Sequence, residues 1–116
     1  MSVSQRELAP DIWLVETQGR LDQALTPRLE AALKALLAEG HTNIIVDLSQ
    51  TTYINSGGLR SLITGRRLSQ SGGGDIAICG LNERMSEVFE MVGLDQVITI
   101  YNNCDEARDH FAPDPP

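Results

Sequence analysis

The chain has 116 residues, 41 % of them apolar, enough to close one hydrophobic core without disulfide or metal staples. A formal charge of −7, with nine Lys and Arg in all, excludes a broad basic surface for nucleic acid and points to a protein partner and to a monomer when alone. Apolar runs such as Ile12-Trp13-Leu14-Val15 are too short to span a bilayer, and Met1-Ser2-Val3-Ser4-Gln5 lacks a basic-then-apolar leader, so no membrane insertion and a cytoplasmic location are expected.

Residues 3–8 and 12–18 read as two strands of a hairpin around the Ala9-Pro10-Asp11 turn, with Gly19 ending the second. Thr26-Pro27 then opens a helix, the hydroxyl as N-cap and the proline at the first helical position, where it has no N–H to waste. Leu29, Leu33, Leu36 and Leu37 recur at helical spacing, and Gly40 stops that helix. Asn43 to Leu48 is a short β-branched strand, Ser49-Gln50-Thr51-Thr52 a polar loop, and helical spacing resumes at Leu59, Leu62 and Ile63 until Ser71-Gly72-Gly73-Gly74. Asp75 to Cys79 is the next strand. A helix capped by Asn82 follows, with Met85, Val88, Phe89 and Val92 as its buried stripe and Gly93 as a left-handed terminator. Val97 to Ile100 reads as the last strand, and Cys104, Ala107 and Phe111 as the inner stripe of a final short helix.

Helices that alternate with strands after an opening hairpin predict a small α/β domain, a mixed, mostly parallel β-sheet covered by about four helices. It should occupy residues 1–112, with 113–116, Pro-Asp-Pro-Pro, as a disordered tail. Cys79 and Cys104 stand 25 positions apart with no CxxC spacing, each in an apolar pattern that suits a buried structural thiol. With no ligand-spaced His/Cys set, neither a disulfide framework nor a metal or cofactor is expected.

Two places depart from what a core alone needs. In Tyr53-Ile54-Asn55-Ser56-Gly57-Gly58-Leu59-Arg60 a strand and loop deliver Ser56 to a helix start. As N-cap, its hydroxyl would face unpaired N–H groups and the positive end of the helix dipole, surroundings that stabilise a phosphate. A serine there can equally be only a cap. The second place is Gly19-Arg20-Leu21-Asp22, which sets a carboxylate at a strand end, as a turn residue or something more. Arg60 and Arg67, seven positions apart with Arg66 beside them, share a helix face that reads either as a docking ridge on an acidic molecule or as solvated surface.

Taken in order, Gly19-Arg20-Leu21-Asp22 with Thr26, Ile45-Val46-Asp47-Leu48-Ser49, Ile54-Asn55-Ser56-Gly57-Gly58-Leu59 and Met91-Val92-Gly93-Leu94 resemble the STAS domains of bacterial anti-sigma factor antagonists over almost the whole chain. The resemblance implies a protein that, unphosphorylated, binds an anti-sigma factor that is also a serine kinase and so frees the sigma factor. Phosphorylation of one serine ends the interaction, and a phosphatase restores it. That serine, within an Asp-Ser-Ser-Gly-Leu pattern, carries over to Ser56. Gly58 and Leu59 match, whereas Asn55 stands for the Asp and Gly57 for the second Ser, and Asp22 falls in the partner-facing region. Asn55 keeps the shape of Asp without its charge, so a phosphate on Ser56 meets less repulsion; the loop has equally lost a group a kinase could read. Gly57 lets a partner backbone come close.

An enzyme is the first rival. A nucleophile elbow, G-x-S-x-G, needs glycine at 54, which is Ile, and a base is missing. His41 precedes a strand that alone separates it from the switch loop by roughly 17 Å at about 3.3 Å per residue, and His110 lies in the terminal helix. Glycines 72–74 follow a helix and precede a strand, the reverse of a nucleotide-binding turn. No catalytic residue is therefore assigned. The alternative within the same family is a STAS interaction subunit of a larger sensory or lipid-transport assembly that is never phosphorylated.

Overall fold

The fold is known from a computed structural model, which describes residues 1–111. The expected tail at 113–116 lies outside the described residues. Strand β1 (Ser2–Ala9) turns at Asp11, which takes a positive φ of 65°, into β2 (Ile12–Leu21). The two pair antiparallel, and β2, β3 (Asn43–Ile54), β4 (Asp75–Cys79) and β5 (Ile100–Tyr101) then pair parallel in the order β1-β2-β3-β4-β5. Between them run α1 (Thr26–Ala38), α2 (Ser56–Ser71) and α3 (Glu83–Met91), and α4 (Cys104–Asp109) closes the described chain.

The strands alternate cleanly between two layers. Val15, Ile44, Val46, Ile76 and Ile78 face the main core with Leu29, Leu33 and Leu36 of α1, Leu62 of α2, and Met85 and Phe89 of α3. Ile12, Leu14, Ile45 and Cys79 face the other way, against Ala107 of α4. Each fully buried Leu or Ile contributes about 1.5–3 kcal/mol, so the α1 stripe alone secures that helix to the sheet. The α1 terminus closes as a Schellman turn, with the Gly40 N–H on the Leu37 carbonyl at 3.1 Å and the His41 N–H on the Leu36 carbonyl at 2.9 Å. Burial, then contact with Cys104, pushes the Cys79 thiol well above the usual thiol range. Among the described residues no helix is long and apolar enough to cross a membrane.

Four local expectations need correction. β2 does not end at Gly19. That residue takes φ +106° between two register shifts, so the strand bulges there and continues to bury Leu21. The polar segment 49–52 is strand rather than loop, because β3 keeps pairing with the long β2 and buries Thr51 against Thr17, the two hydroxyls hydrogen-bonded to each other. Val92 is not on the buried stripe of α3: the helix ends at Met91, and Val92, as its C-cap, is 57 % exposed. Residues 94–96 form a 3-10 turn after the left-handed Gly93, at φ 76°, and only Ile100–Tyr101 pairs as the last strand. Ile98 is instead buried in the main core as a single anchoring side chain.

Candidate functional site

The parallel pairing of β2 with β3 brings their two C-terminal ends, and so the starts of α1 and α2, to one edge of the sheet. Leu21 pairs with Ile54 across the ladder, and the Asn55 N–H donates to the Leu21 carbonyl at 3.0 Å. Asp22 and Ser56 are thereby neighbours, though 34 positions apart by number (56 − 22). Both line one open depression of about 650 Å³ with Arg20, Tyr53 and Asn55.

The capping differs from the sequence expectation at both helices, and the two differences are linked. Ser56 is the first residue of α2, not its cap. Asn55, extended at φ −89° and ψ 175°, is the cap, and its Oδ1 accepts the Gly58 N–H at 2.8 Å. Thr26 likewise lies inside α1, with Leu25 at the cap position and no side-chain cap. Asp22 takes over there. Its Oδ1 accepts the N–H groups of Ala24 at 3.0 Å and Leu25 at 3.1 Å, and its carbonyl accepts the Thr26 N–H at 3.0 Å. The freed Thr26 hydroxyl, buried, donates to Asn55 Oδ1 at 3.2 Å and ties the two helix starts together. The Leu25 N–H first, then that of Ala24, holds the Asp22 carboxyl below its ordinary 3.8.

Ser56 itself is exposed at the positive end of a 16-residue helix, where an added phosphate would be favoured. Gly57 is half-buried beside it. Gly58 is buried, and a Cβ there would stand 2.6 Å from Ile54 Cγ1, while Leu59 packs half-buried against the main core. These two positions hold the loop rather than present side chains outward. Arg60 and Arg67 are both exposed on α2, and Arg60 lines a groove of about 200 Å³ between α1 and α2 together with Thr26, Leu33, Gly57, Thr64 and Leu68. Arg66 leaves the expected arginine face. It is half-buried with its Nε 3.2 Å from Asp75 Oδ1, a charge contact whose alignment is not that of a hydrogen bond.

Sequence reasoning passed over Arg20 and Tyr53 as site residues. They are register partners, and the Arg20 guanidinium lies 4.3 Å over the Tyr53 ring on the rim of the Ser56 depression. The signal was present in alternation: each precedes a buried residue, Leu21 and Ile54, and so must point outward. Neither histidine approaches Ser56. His41 stacks on Trp13 at 4.7 Å, and His110 is held between the Tyr101 hydroxyl and Asp75 Oδ2, each at 2.8 Å.

Comparison with known proteins finds the same plan. The model of the STAS domain matches residues 4–107. BtrV of Bordetella bronchiseptica, provisionally named an anti-sigma factor antagonist, is 30 % identical over 94 residues, 81 % of either chain. A Thermotoga maritima crystal structure, provisionally named the same way, superposes with a TM-score of 0.86 at 21 % identity, covering 93 % of this chain and 92 % of that one. SpoIIAA, a Bacillus cell fate determinant, in its phosphorylated form superposes with a TM-score of 0.75 at 18 % identity, covering 96 % and 100 %.

Proposed function

Because the chain belongs to the STAS domain family, we propose that it is an anti-sigma factor antagonist whose binding is switched by phosphorylation of Ser56. Unphosphorylated, it binds an anti-sigma factor that is also a serine kinase and thereby releases a sigma factor; phosphorylation ends that contact and a phosphatase restores it. The names of its relatives support the partner, and the phosphorylated form of SpoIIAA supports the kind of switch. The observation that carries the reading is the exposed Ser56 hydroxyl at the first position of α2, sharing a depression with Asp22.

The mechanism is electrostatic. A phosphoserine adds about −1.5 to −2 charges at neutral pH. The first turn of α2 accommodates them within this chain, but a partner seated over the depression must either pair the phosphate or desolvate it. Asp22, which lines the same depression, adds to the repulsion of any acidic partner surface. Arg60 and Arg67 supply the opposite sign further along α2, where they steer an acidic partner and fix its orientation. This is the work of a binding protein, with no step of bond-making catalysis by its own side chains.

Incubation with the cognate kinase and ATP should add one phosphate, located at Ser56 by mass spectrometry. Ser56→Ala should abolish the addition and keep the kinase complex, whereas Ser56→Asp should bind it less well. Phosphate on another residue or on none, together with parent-like binding by Ser56→Asp, would replace this reading with that of an interaction subunit that is never phosphorylated.

A further inference from the structure

The sheet face away from the main core carries a second set of reactive side chains. Register pairs Glu16 with Asp47 and Asp47 with Cys79, so the three stand in a row across β2, β3 and β4 on the layer that α4 covers. Cys104, the first residue of α4, closes over that row. Its Sγ lies 3.0 Å from Cys79 Sγ and 3.4 Å from Asp47 Oδ2. All three donor atoms fall within 4.8 Å of one another. Asp47 is held in place, because its Oδ1 accepts the Ser49 N–H at 2.9 Å, which leaves Oδ2 turned to the sulfurs.

We infer that Asp47, Cys79 and Cys104 form a binding site for a zinc-like divalent cation, held by two thiolates and one carboxylate oxygen, with a further position open to water. The site is separate from the Ser56 depression and does not depend on the function proposed above.

Four features support it. Two sulfurs and one oxygen match the borderline-soft preference of zinc, and three protein ligands are the number that leaves a position free. The donors come from three elements distant in sequence and converge only through the fold. The Ser49 N–H on the far carboxylate oxygen is the outer hydrogen bond that orients a metal-binding carboxylate. Charge complementarity points the same way: Asp47 makes no ion pair among the described residues, and its row neighbour Glu16 is already matched by Arg6 at 3.3 Å. Gly80 adds a structural condition. At φ +83° it lets the chain after Cys79 lie against Ser49 and Asp47, where a Cβ would come within 2.7 Å of Ser49 Cβ and 3.1 Å of Asp47 Oδ1.

The required adjustment is small. Two thiolates on one zinc at about 2.3 Å each are about 3.8 Å apart in a tetrahedral arrangement, so the sulfurs part by about 0.8 Å. Cys104, half-buried on the short α4, can supply that movement. On binding, each thiol releases its proton to solvent and the metal keeps its oxidation state, so no oxidant is needed.

The test uses the full chain, kept reduced with a phosphine, and cobalt(II) chloride as the probe. A thiolate-to-cobalt charge-transfer band in the near ultraviolet should rise to saturation at one equivalent and collapse on addition of zinc(II). Cys104→Ser should lose the band while its circular dichroism stays native; this half-buried position keeps the test valid if replacement of the buried Cys79 unfolds the protein. Asp47→Asn, which keeps an oxygen but removes its charge, should retain the thiolate band and bind cobalt more weakly than the parent. Absence of the band in the folded, reduced protein overturns the inference, as does a band unchanged by Cys104→Ser. If the protein takes up no cobalt but its two thiols disappear on treatment with diamide, the pair is a redox couple and not a metal site.

Discussion

Replacing Asn55 with alanine tests whether the switch loop is capped as described. The change removes the acceptor for the Gly58 N–H at 2.8 Å and for the Thr26 hydroxyl at 3.2 Å. Loss of an N-cap costs about 0.5–2 kcal/mol, and a buried hydroxyl left unpaired costs about 1–3 kcal/mol more, part of which relaxation recovers. A total near 2 kcal/mol is therefore expected. With an unfolding entropy of about 2.1 cal/mol/K per residue, a chain of 116 residues loses about 4 °C for each kcal/mol, so Tm should fall by about 8 °C. Ser56→Ala, at an exposed first helical position, should stay within about 0.5 kcal/mol of the parent. Thr26→Val supplies the cycle: it removes the orphaned hydroxyl, so Asn55→Ala should cost less in its presence than alone. Differential scanning calorimetry on the parent, the three single variants and the Asn55→Ala/Thr26→Val double variant reads all of this. Were Ser56→Ala to lower Tm as far as Asn55→Ala, the serine would be the cap and this account of the loop would fail.

The two loop glycines should respond in opposite directions. Gly58→Ala drives a Cβ to 2.6 Å from Ile54 Cγ1, and overpacking of about 1–3 kcal/mol outweighs the helix-propensity gain of about 1 kcal/mol; Gly57→Ala, with its nearest contact at 3.4 Å, keeps that gain, and urea melts separate the two. Asp22, whose carboxyl is held below its ordinary 3.8, stabilises the fold fully above that value and loses its contribution as pH falls through the lowered one. Asp22→Asn should therefore flatten the acid limb of a stability profile by lowering the neutral plateau toward the value the parent shows in acid, with the acid end little changed. Arg60→Glu should weaken partner binding at low ionic strength and do so much less in high salt, where exposed charges are screened; an unchanged dissociation constant at low salt would make the arginines plain surface.

Residue pattern by itself determined the element types and most of the core. The leucines of α1 bury at helical spacing, Met85 and Phe89 anchor α3, and Ile44, Val46, Ile76 and Ile78 alternate into one layer, because apolar periodicity depends only on local geometry and the direction of burial. The ordered family motifs likewise placed Ser56 at a helix start and Asp22 near it. What pattern could not decide was which of several adjacent polar groups takes which hydrogen bond. Asn55, Ser56, Thr26 and Asp22 are all competent caps, and the choice among them follows from the pairing of Leu21 with Ile54, which sets two helix starts side by side. The same holds for strand ends. Polar residues 49–52 look like a loop until a long partner strand offers their backbone a ladder. Cys79 and Cys104 make the sharpest case: spacing of 25 residues argues against any shared site, yet sheet register and the docking of α4 bring their sulfurs to 3.0 Å beside Asp47. Proximity across elements is a property of how layers close, and no local pattern in the chain encodes it.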